Sequence, residues 1–143
     1  IISPIDLSLQ NSEENSVKNL IIFAHSYINS PYLWGGRSPA GIDCSGFVQI
    51  VFKSADILLP RDSSQQVLFG ETVDFFNEIR EGDVAFFQNE EGKIVHTGIL
   101  LSDNKIIHAS GKVRIDKLDQ HGIFNQENEQ YSHFLRIVKR FIS

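Results

Sequence analysis

At 143 residues and 16.2 kDa, the chain has the size of one domain and is long enough to bury a self-supporting core. Hydrophobic residues make up 41% of it and charged residues 22%, which argues against intrinsic disorder. The formal net charge is -5 and no block of lysine or arginine is present, so nucleic acid and anionic membrane surfaces are poor partners.

The start of the chain has no clear structural pattern. Residues 1–14 are mixed and polar, and we interpret them as a lead-in or linker before a domain that covers residues 15–143. No signal peptide is visible, and no apolar run reaches the roughly 18 residues that span a bilayer. The sequence contains no methionine, so we expect it to be a fragment or a mature form. These features leave the cellular compartment open.

The first half of the domain predicts helices. From Asn15, apolar residues recur at helical spacing until Ser30 and Pro31, where we expect the helix to stop. A glycine-rich loop follows over residues 32–41. Asp43 is a good N-cap for a second helix, and a short third helix is expected after Arg61.

The second half predicts β-strands. Runs rich in aliphatic and aromatic residues are separated by turn residues, and they cover 83–87, 94–101, 105–109, 113–115 and 134–141. Helices that precede strands in the sequence favour an α+β fold. We therefore expect N-terminal helices packed on a C-terminal antiparallel sheet of about five strands.

The single cysteine, Cys44, lies where the glycine-rich loop turns into the second helix. A lone thiol is more often a small core residue than a nucleophile. At a helix N-terminus, however, unpaired N–H groups favour thiolate over thiol and can stabilise an oxyanion. This position makes Cys44 a candidate nucleophile.

A nucleophilic thiol also needs a base, and two histidines lie in consecutive predicted strands. With a two-residue turn at 103–104, His96 and His108 would face opposite sides of the sheet. With a three-residue loop at 102–104, His108 would oppose Gly98, and the histidines would be diagonal neighbours on one face. A relay between them therefore requires an odd-length loop or a bulge.

Six short motifs in this order resemble the NlpC-type cell-wall cysteine peptidases, from about residue 15 to residue 141. They are PYLWGG at 31–36, DCSGFV at 43–48, LPRDSSQQ at 59–66, GD at 82–83, HTGI at 96–99 and IHAS at 107–110. The resemblance implies a papain-like α+β fold and a triad of Cys44, His96 and His108. In that triad Cys44 attacks an amide carbonyl, His96 is the base, and His108 orients the ring of His96.

The same resemblance implies a substrate. The family typically cuts the bond between D-γ-glutamate and a diamino acid in peptidoglycan stem peptides, and members with similar loops often need the free amine of an N-terminal L-Ala. Tyr32, Asp43, Ser45 and Arg61 are then expected to shape the substrate site, with Asp43 facing the amine. No metal and no organic cofactor are expected. Relatives often carry an N-terminal SH3-like wall-binding region, and residues 1–14 would be its linker.

The charge of Asp43 raises an electrostatic question. An aspartate about 6 Å from a thiolate repels it by roughly 3 kcal/mol at an effective dielectric near 20. We therefore hypothesise that a substrate ammonium pairs with Asp43 and removes this repulsion.

Other interpretations stay open at this point. The fold is shared with acyltransferases, and a non-catalytic wall-binding module would keep the same fold. We interpret Trp34 as a packing anchor, and the remaining histidines, His25, His121 and His133, as structural or solvated. A location in the cell envelope, periplasmic or secreted, is expected over a cytoplasmic role in wall recycling.

Overall fold

The computed structural model describes residues 16–142, so the predicted linker at 1–14 lies outside the described residues. The first helix, α1, is described over residues 16–25, and it buries Leu20 and Ala24 completely. It ends before the predicted stop at Pro31, because residues 26–29 form a turn that finishes with Asn29 at a left-handed φ of 71°. No helix within residues 16–142 is long and apolar enough to cross a membrane.

Two further α-helices and one 3₁₀-helix follow: α2 at Cys44–Lys53, α3 at Ser63–Gln66 and the 3₁₀-helix at Phe76–Glu78. Asp43 caps α2 as predicted, because its carboxylate accepts the N–H of Gly46 at 2.7 Å. Asp62 is the N-cap residue of α3, but its side chain makes no capping hydrogen bond. The side-chain amide of Gln66 instead ties α3 to the start of α2, since it donates to the Ser45 carbonyl at 3.1 Å.

Nine strands make up the rest of the described chain. They are β1 at Arg37–Ser38, β2 at Gly41–Ile42, β3 at Glu71–Val73, β4 at Val84–Gln88, β5 at Ile94–Leu101, β6 at Lys105–Ser110, β7 at Lys112–Leu118, β8 at Gly122–Asn125 and β9 at Gln130–Arg140. Strands β1 and β2 form a small hairpin, and the others form a seven-stranded antiparallel sheet in the order β3-β9-β4-β5-β6-β7-β8. Because β8 also pairs with β9, strands β4 to β9 close into a barrel.

Alternate residues of the barrel strands serve two cores. In β4, Val84 and Phe86 pack with the helices, whereas Ala85 and Phe87 belong to a second cluster. That second cluster takes residues from six strands and fills the barrel, and its fully or nearly buried members are Ala85, Phe87, Leu100, Ile106, Leu118, Ile123 and Val138. The sheet is therefore buried on both faces, which fixes its register strongly.

The α+β class and the antiparallel sheet are confirmed, but the sheet has seven strands where about five were expected. The two missed sheet strands, β3 and β8, have three and four residues. Segments this short show no measurable alternation of apolar and polar residues. Both β3 and β8 pair with β9. Because β8 pairs with the N-terminal part of β9, that strand begins at Gln130, before the predicted start at residue 134.

The loop between β5 and β6 has three residues, since Leu101 pairs with Lys105. Asp103 and Asn104 in this loop both have left-handed φ values, 61° and 56°. The pairing continues so that Gly98 lies against His108, and a Cβ added at Gly98 would meet the Cβ of His108 at 2.8 Å. This is the register in which the two histidines are diagonal neighbours.

Candidate functional site

A cleft of about 640 Å³ opens at the N-terminus of α2. Its walls come from the glycine-rich loop, the start of α2, the segment before α3 and the first residues of β5. The lining residues are Tyr32, Trp34, Gly35, Asp43, Cys44, Ser45, Arg61, Asp62, Ser63, Ile94 and Val95. The structure thus brings the expected nucleophile and all four expected substrate residues to one cavity.

Asp43 is the hydrogen-bonding centre of this cleft. Its Oδ1 accepts the N–H of Gly46 at 2.7 Å and Nη1 of Arg61 at 3.0 Å. Its Oδ2 accepts Nη2 of Arg61 at 2.8 Å and the N–H of Gly35 at 3.0 Å. Arg61 Nη1 also donates to the hydroxyl of Ser45 at 3.0 Å. The carboxylate therefore ties the glycine-rich loop, helix α2 and Arg61 together.

Arg61 already balances the charge of Asp43. Burial alone would raise the pKa of Asp43, but the hydrogen bonds from Arg61 and from the backbone N–H groups outweigh it and lower that pKa. The side chain of Asp43 is 10% exposed and that of Arg61 30%. A substrate ammonium that approaches Asp43 would thus meet a carboxylate that is already paired with Arg61.

Cys44 is half-buried, and three backbone N–H groups favour its thiolate form: those of Ser45, Thr97 and Cys44 itself. These groups lower the thiol pKa, as the position at a helix N-terminus predicts. Burial and, after it, the Asp43 charge outweigh them, so the net pKa of Cys44 is raised. In the free chain the raised pKa therefore favours the neutral thiol of Cys44 over the thiolate at neutral pH.

The alkylation rate of Cys44 by iodoacetamide is therefore expected to rise roughly tenfold per pH unit between pH 6 and 9. Only the thiolate reacts, and a raised thiol pKa keeps its fraction small throughout this range. Intact mass measured over time gives the rate without background, since the chain has one cysteine. A fast rate that is constant from pH 5 to 7 would contradict the neutral thiol.

His96 lies at the edge of the cleft. The two residues before it line the cavity, and the backbone N–H of the residue after it, Thr97, lowers the pKa of the Cys44 thiol. Burial, then the neighbouring His133 and His108, lower the pKa of His96 well below its ordinary value. Its ring is consequently neutral at pH 7 and able to accept a proton.

His96 and His108 are joined through their ring nitrogens. Nε2 of His96 lies 2.8 Å from Nδ1 of His108, and the two residues are 6% and 1% exposed. No hydrogen bond to Nδ1 of His96 is made within residues 16–142, so this nitrogen is available for another partner.

Sequence reasoning missed Asp116, whose Oδ2 lies 2.7 Å from Nε2 of His108. Arg114 holds this carboxylate, with Nε 2.8 Å from Oδ2 and Nη2 3.1 Å from Oδ1. A signal was present: with a turn at Gly111, His108 pairs with Arg114, and Asp116 follows two residues later on the same face.

His133 was also missed, because it was interpreted as structural or solvated. It is half-buried and stacks on His96 with ring centroids 4.0 Å apart and an interplanar angle of 22°. Burial, followed by the charge of His108, lowers the pKa of His133 to about 4. His133 therefore covers the neutral ring of His96.

The ring nitrogens of His96, His108 and His133 lie within 4.8 Å of one another, and they are the described residues that come nearest to a metal site. Two imidazole nitrogens on one tetrahedral zinc ion would be about 3.3 Å apart, with rings turned toward the metal. Here the nitrogens of His96 and His108 are 2.8 Å apart, a hydrogen-bond distance, and the third ring is stacked. The spacing of His96 and His108 is therefore that of a hydrogen-bonded pair.

Trp34 is 87% exposed, so its interpretation as a packing anchor is wrong. It lines the cleft together with Tyr32, which is half-buried and whose pKa is raised by burial and then by Cys44 and Asp43. The neighbouring Leu33 is also exposed, at 56%. This part of the loop therefore offers an apolar rim to whatever enters the cleft.

Comparison with known sequences gives a family. The sequence profile of the NlpC/P60 family matches residues 29–131. The gamma-D-glutamyl-L-lysine dipeptidyl-peptidase of Bacillus subtilis is 35% identical over 101 residues, which are 69% of this chain and 34% of the relative. The probable endopeptidase NlpC of Escherichia coli is 34% identical over 105 residues, which are 72% of this chain and 68% of the relative. The chain thus spans about a third of the Bacillus relative.

Solved structures agree in fold. An NlpC/P60 family protein from Bacillus cereus superposes with a TM-score of 0.76 at 29% identity, over 89% of this chain and 40% of that one. The peptidoglycan hydrolase RipB from Mycobacterium tuberculosis superposes with a TM-score of 0.75 at 27% identity, over 100% of this chain and 74% of that one.

Proposed function

The chain belongs to the NlpC/P60 family, and on that premise we propose that it is a cysteine peptidase that hydrolyses the γ-D-glutamyl to diamino acid amide bond of peptidoglycan stem peptides. The observation that carries the proposal is the position of Cys44 at the N-terminus of α2, in a cleft that is also lined by Ile94 and Val95, the two residues before His96. The bond type is supported by relatives named gamma-D-glutamyl-L-lysine dipeptidyl-peptidase and gamma-DL-glutamyl hydrolase, the latter 43% identical over 95 residues.

In the proposed reaction, Nδ1 of His96 takes the Sγ–H proton of Cys44 as sulfur attacks the carbonyl carbon. The oxyanion receives the backbone N–H of Cys44, one of the unpaired amides of the first helical turn. The tetrahedral intermediate collapses to a thioester, and His96 passes its proton to the leaving amine. Water, deprotonated by His96, then hydrolyses the thioester and regenerates the thiol. None of these steps uses a metal or an organic cofactor.

We further propose a preference for a free N-terminal L-Ala. The polar wall formed by Asp43, Arg61 and Ser45 supports it, with the half-buried Tyr32 beside it. Since the lone pairs of Asp43 are taken by protein donors, the substrate ammonium would sit at the rim of this group. There the hydroxyl oxygens of Ser45 and Tyr32 are acceptors.

The test is hydrolysis of L-Ala-γ-D-Glu-diaminopimelate and its N-acetylated copy, by wild type and Cys44→Ala, in buffer that contains a chelator. Cleavage of the free-amine peptide alone, and by wild type alone, is the expected result. Equal cleavage of both peptides would keep the peptidase and remove the amine preference. No cleavage of either peptide, with binding retained, would favour a wall-binding module.

The natural setting follows from the substrate. A peptidoglycan stem peptide places the enzyme in the cell envelope, and released fragments would also allow a role in wall recycling. Longer relatives support the proposal that a wall-binding region, such as an SH3-like domain, belongs to the same protein.

A further inference from the structure

Four side chains of strands β5, β6 and β7 form a line that ends at His96. Arg114 holds Asp116, Asp116 contacts Nε2 of His108 at 2.7 Å, and Nδ1 of His108 contacts Nε2 of His96 at 2.8 Å. We propose that Asp116 sets the tautomers of both histidines, so that His96 presents the lone pair of Nδ1 to the Cys44 thiol. Asp116 is then a positioning residue, and its kinetic effect rests on the proposed peptidase function.

The carboxylate of Asp116 determines where the hydrogens lie along this line. An ionised carboxylate only accepts hydrogen bonds, so Nε2 of His108 must carry its proton. A neutral imidazole has one N–H, which leaves Nδ1 of His108 as an acceptor. Nε2 of His96 must therefore donate to it, and Nδ1 of His96 is left with a lone pair. The carboxylate of Asp116 thus determines which nitrogen carries the proton in both His108 and His96.

The surroundings keep Asp116 ionised and His96 neutral. Burial by itself raises the pKa of Asp116, but hydrogen bonds from His108 and Arg114 outweigh it and hold that pKa below its ordinary range. On the other side of the line, His133 from β9 stacks on His96 and is neutral near pH 7. His133, Arg114 and Asp116 are the titratable or charged groups that face the histidine pair from the neighbouring strands.

Replacing Asp116 with leucine should reverse the line. Leucine accepts no hydrogen bond, and Nε of Arg114, which contacts the same Oδ2 as Nε2 of His108, only donates. Without the carboxylate, Nε2 of His108 is therefore expected to become an acceptor. Nδ1 of His108 would then carry the proton and donate to Nε2 of His96. Nδ1 of His96 would become an N–H, which is unable to take the proton of Cys44.

The tautomers are read directly by ¹⁵N NMR of the imidazole rings. In Cys44→Ala, used to keep the thiol from reacting, both His96 and His108 are expected to carry their proton on Nε2. Adding Asp116→Leu is expected to move both protons to Nδ1. If the rings of the folded Cys44→Ala chain already carry their protons on Nδ1, the inference is overturned, whatever the stability of the second variant.

The kinetic arm uses the otherwise unaltered enzyme. Asp116→Leu is expected to lower kcat by about 10²–10⁴-fold with KM changed only a few-fold, the behaviour of a wrong tautomer. Arg114→Leu keeps the carboxylate that accepts from His108, so it is the matched control and its kcat should stay close to that of wild type. An Arg114→Leu variant as slow as Asp116→Leu would overturn the tautomer explanation.

The two arms separate this inference from the function on which it rests. Tautomers as expected in a chain that cleaves no peptide would refute the peptidase and leave the assignment of the protons intact. Active enzyme whose tautomers do not respond to Asp116→Leu would refute the inference alone.

Discussion

Replacing His96 with glutamine is expected to lower kcat/KM for the γ-D-glutamyl peptide by about 10³-fold, within the 10²–10⁴ range for a general base. The raised pKa of Cys44 and the lowered pKa of His96 make the resting pair neutral, so the thiol needs a base during the attack. Glutamine keeps a side-chain group that can hydrogen-bond His108 but has no basic nitrogen. The loss should appear mainly in kcat, because His96 is buried beside the cleft.

Two other histidines provide the controls. His25 is exposed on α1, where its Nδ1 donates to the Ile21 carbonyl at 2.8 Å, and His25→Gln should leave the rate unchanged. His133→Gln removes the ring stacked on His96, a contact worth about 0.5–1.5 kcal/mol, so a loss of up to about tenfold is expected. A larger loss in His133→Gln than in His96→Gln would identify His133 as the base and refute the proposed mechanism.

The chemistry at the start of α2 was predictable from sequence because its determinants are local. Asp43, Cys44 and Gly46 lie within one helical turn, and the capping bond and the close backbone approach at Gly46 follow from residue type. The contact between His96 and His108 could be predicted only for a three-residue loop between their strands, since a single loop residue decides whether the rings share a face of the sheet. The pairing of Leu101 with Lys105 meets that condition.

The outer partners of His96 depend on contacts that no local pattern contains. His133 reaches the site because β9 pairs with both β4 and β8, and this closure joins segments distant in sequence. Arg61 was expected to shape the substrate site, and the structure shows that it lines the cleft while paired with Asp43. Trp34 was misplaced because sequence alone does not tell an aromatic residue in the core from one at the rim of a cleft.

The two adjacent glycines of the loop above α2 should respond very differently to alanine. A Cβ at Gly36 would lie 2.3 Å from the Gly41 carbonyl oxygen and 2.9 Å from the Ile42 nitrogen, both backbone atoms. Gly36→Ala must therefore push the β1–β2 hairpin away from residue 36, whose carbonyl also accepts the N–H of Asp43 at 3.0 Å. We expect a loss of about 3 kcal/mol of unfolding free energy and a fall in Tm of roughly 10 °C.

Gly35→Ala is the matched control, because a Cβ there meets open space and the only cost is a φ of +78°. That cost is about 1 kcal/mol, and Tm should fall by only a few degrees. Thermal unfolding of both variants, followed by circular dichroism, decides between two ways of holding the loop. If Gly36→Ala is the less stable, close backbone packing between residues 36 and 41 fixes the segment that carries Asp43 and Cys44. If Gly35→Ala is equally unstable, the left-handed turn fixes that segment instead.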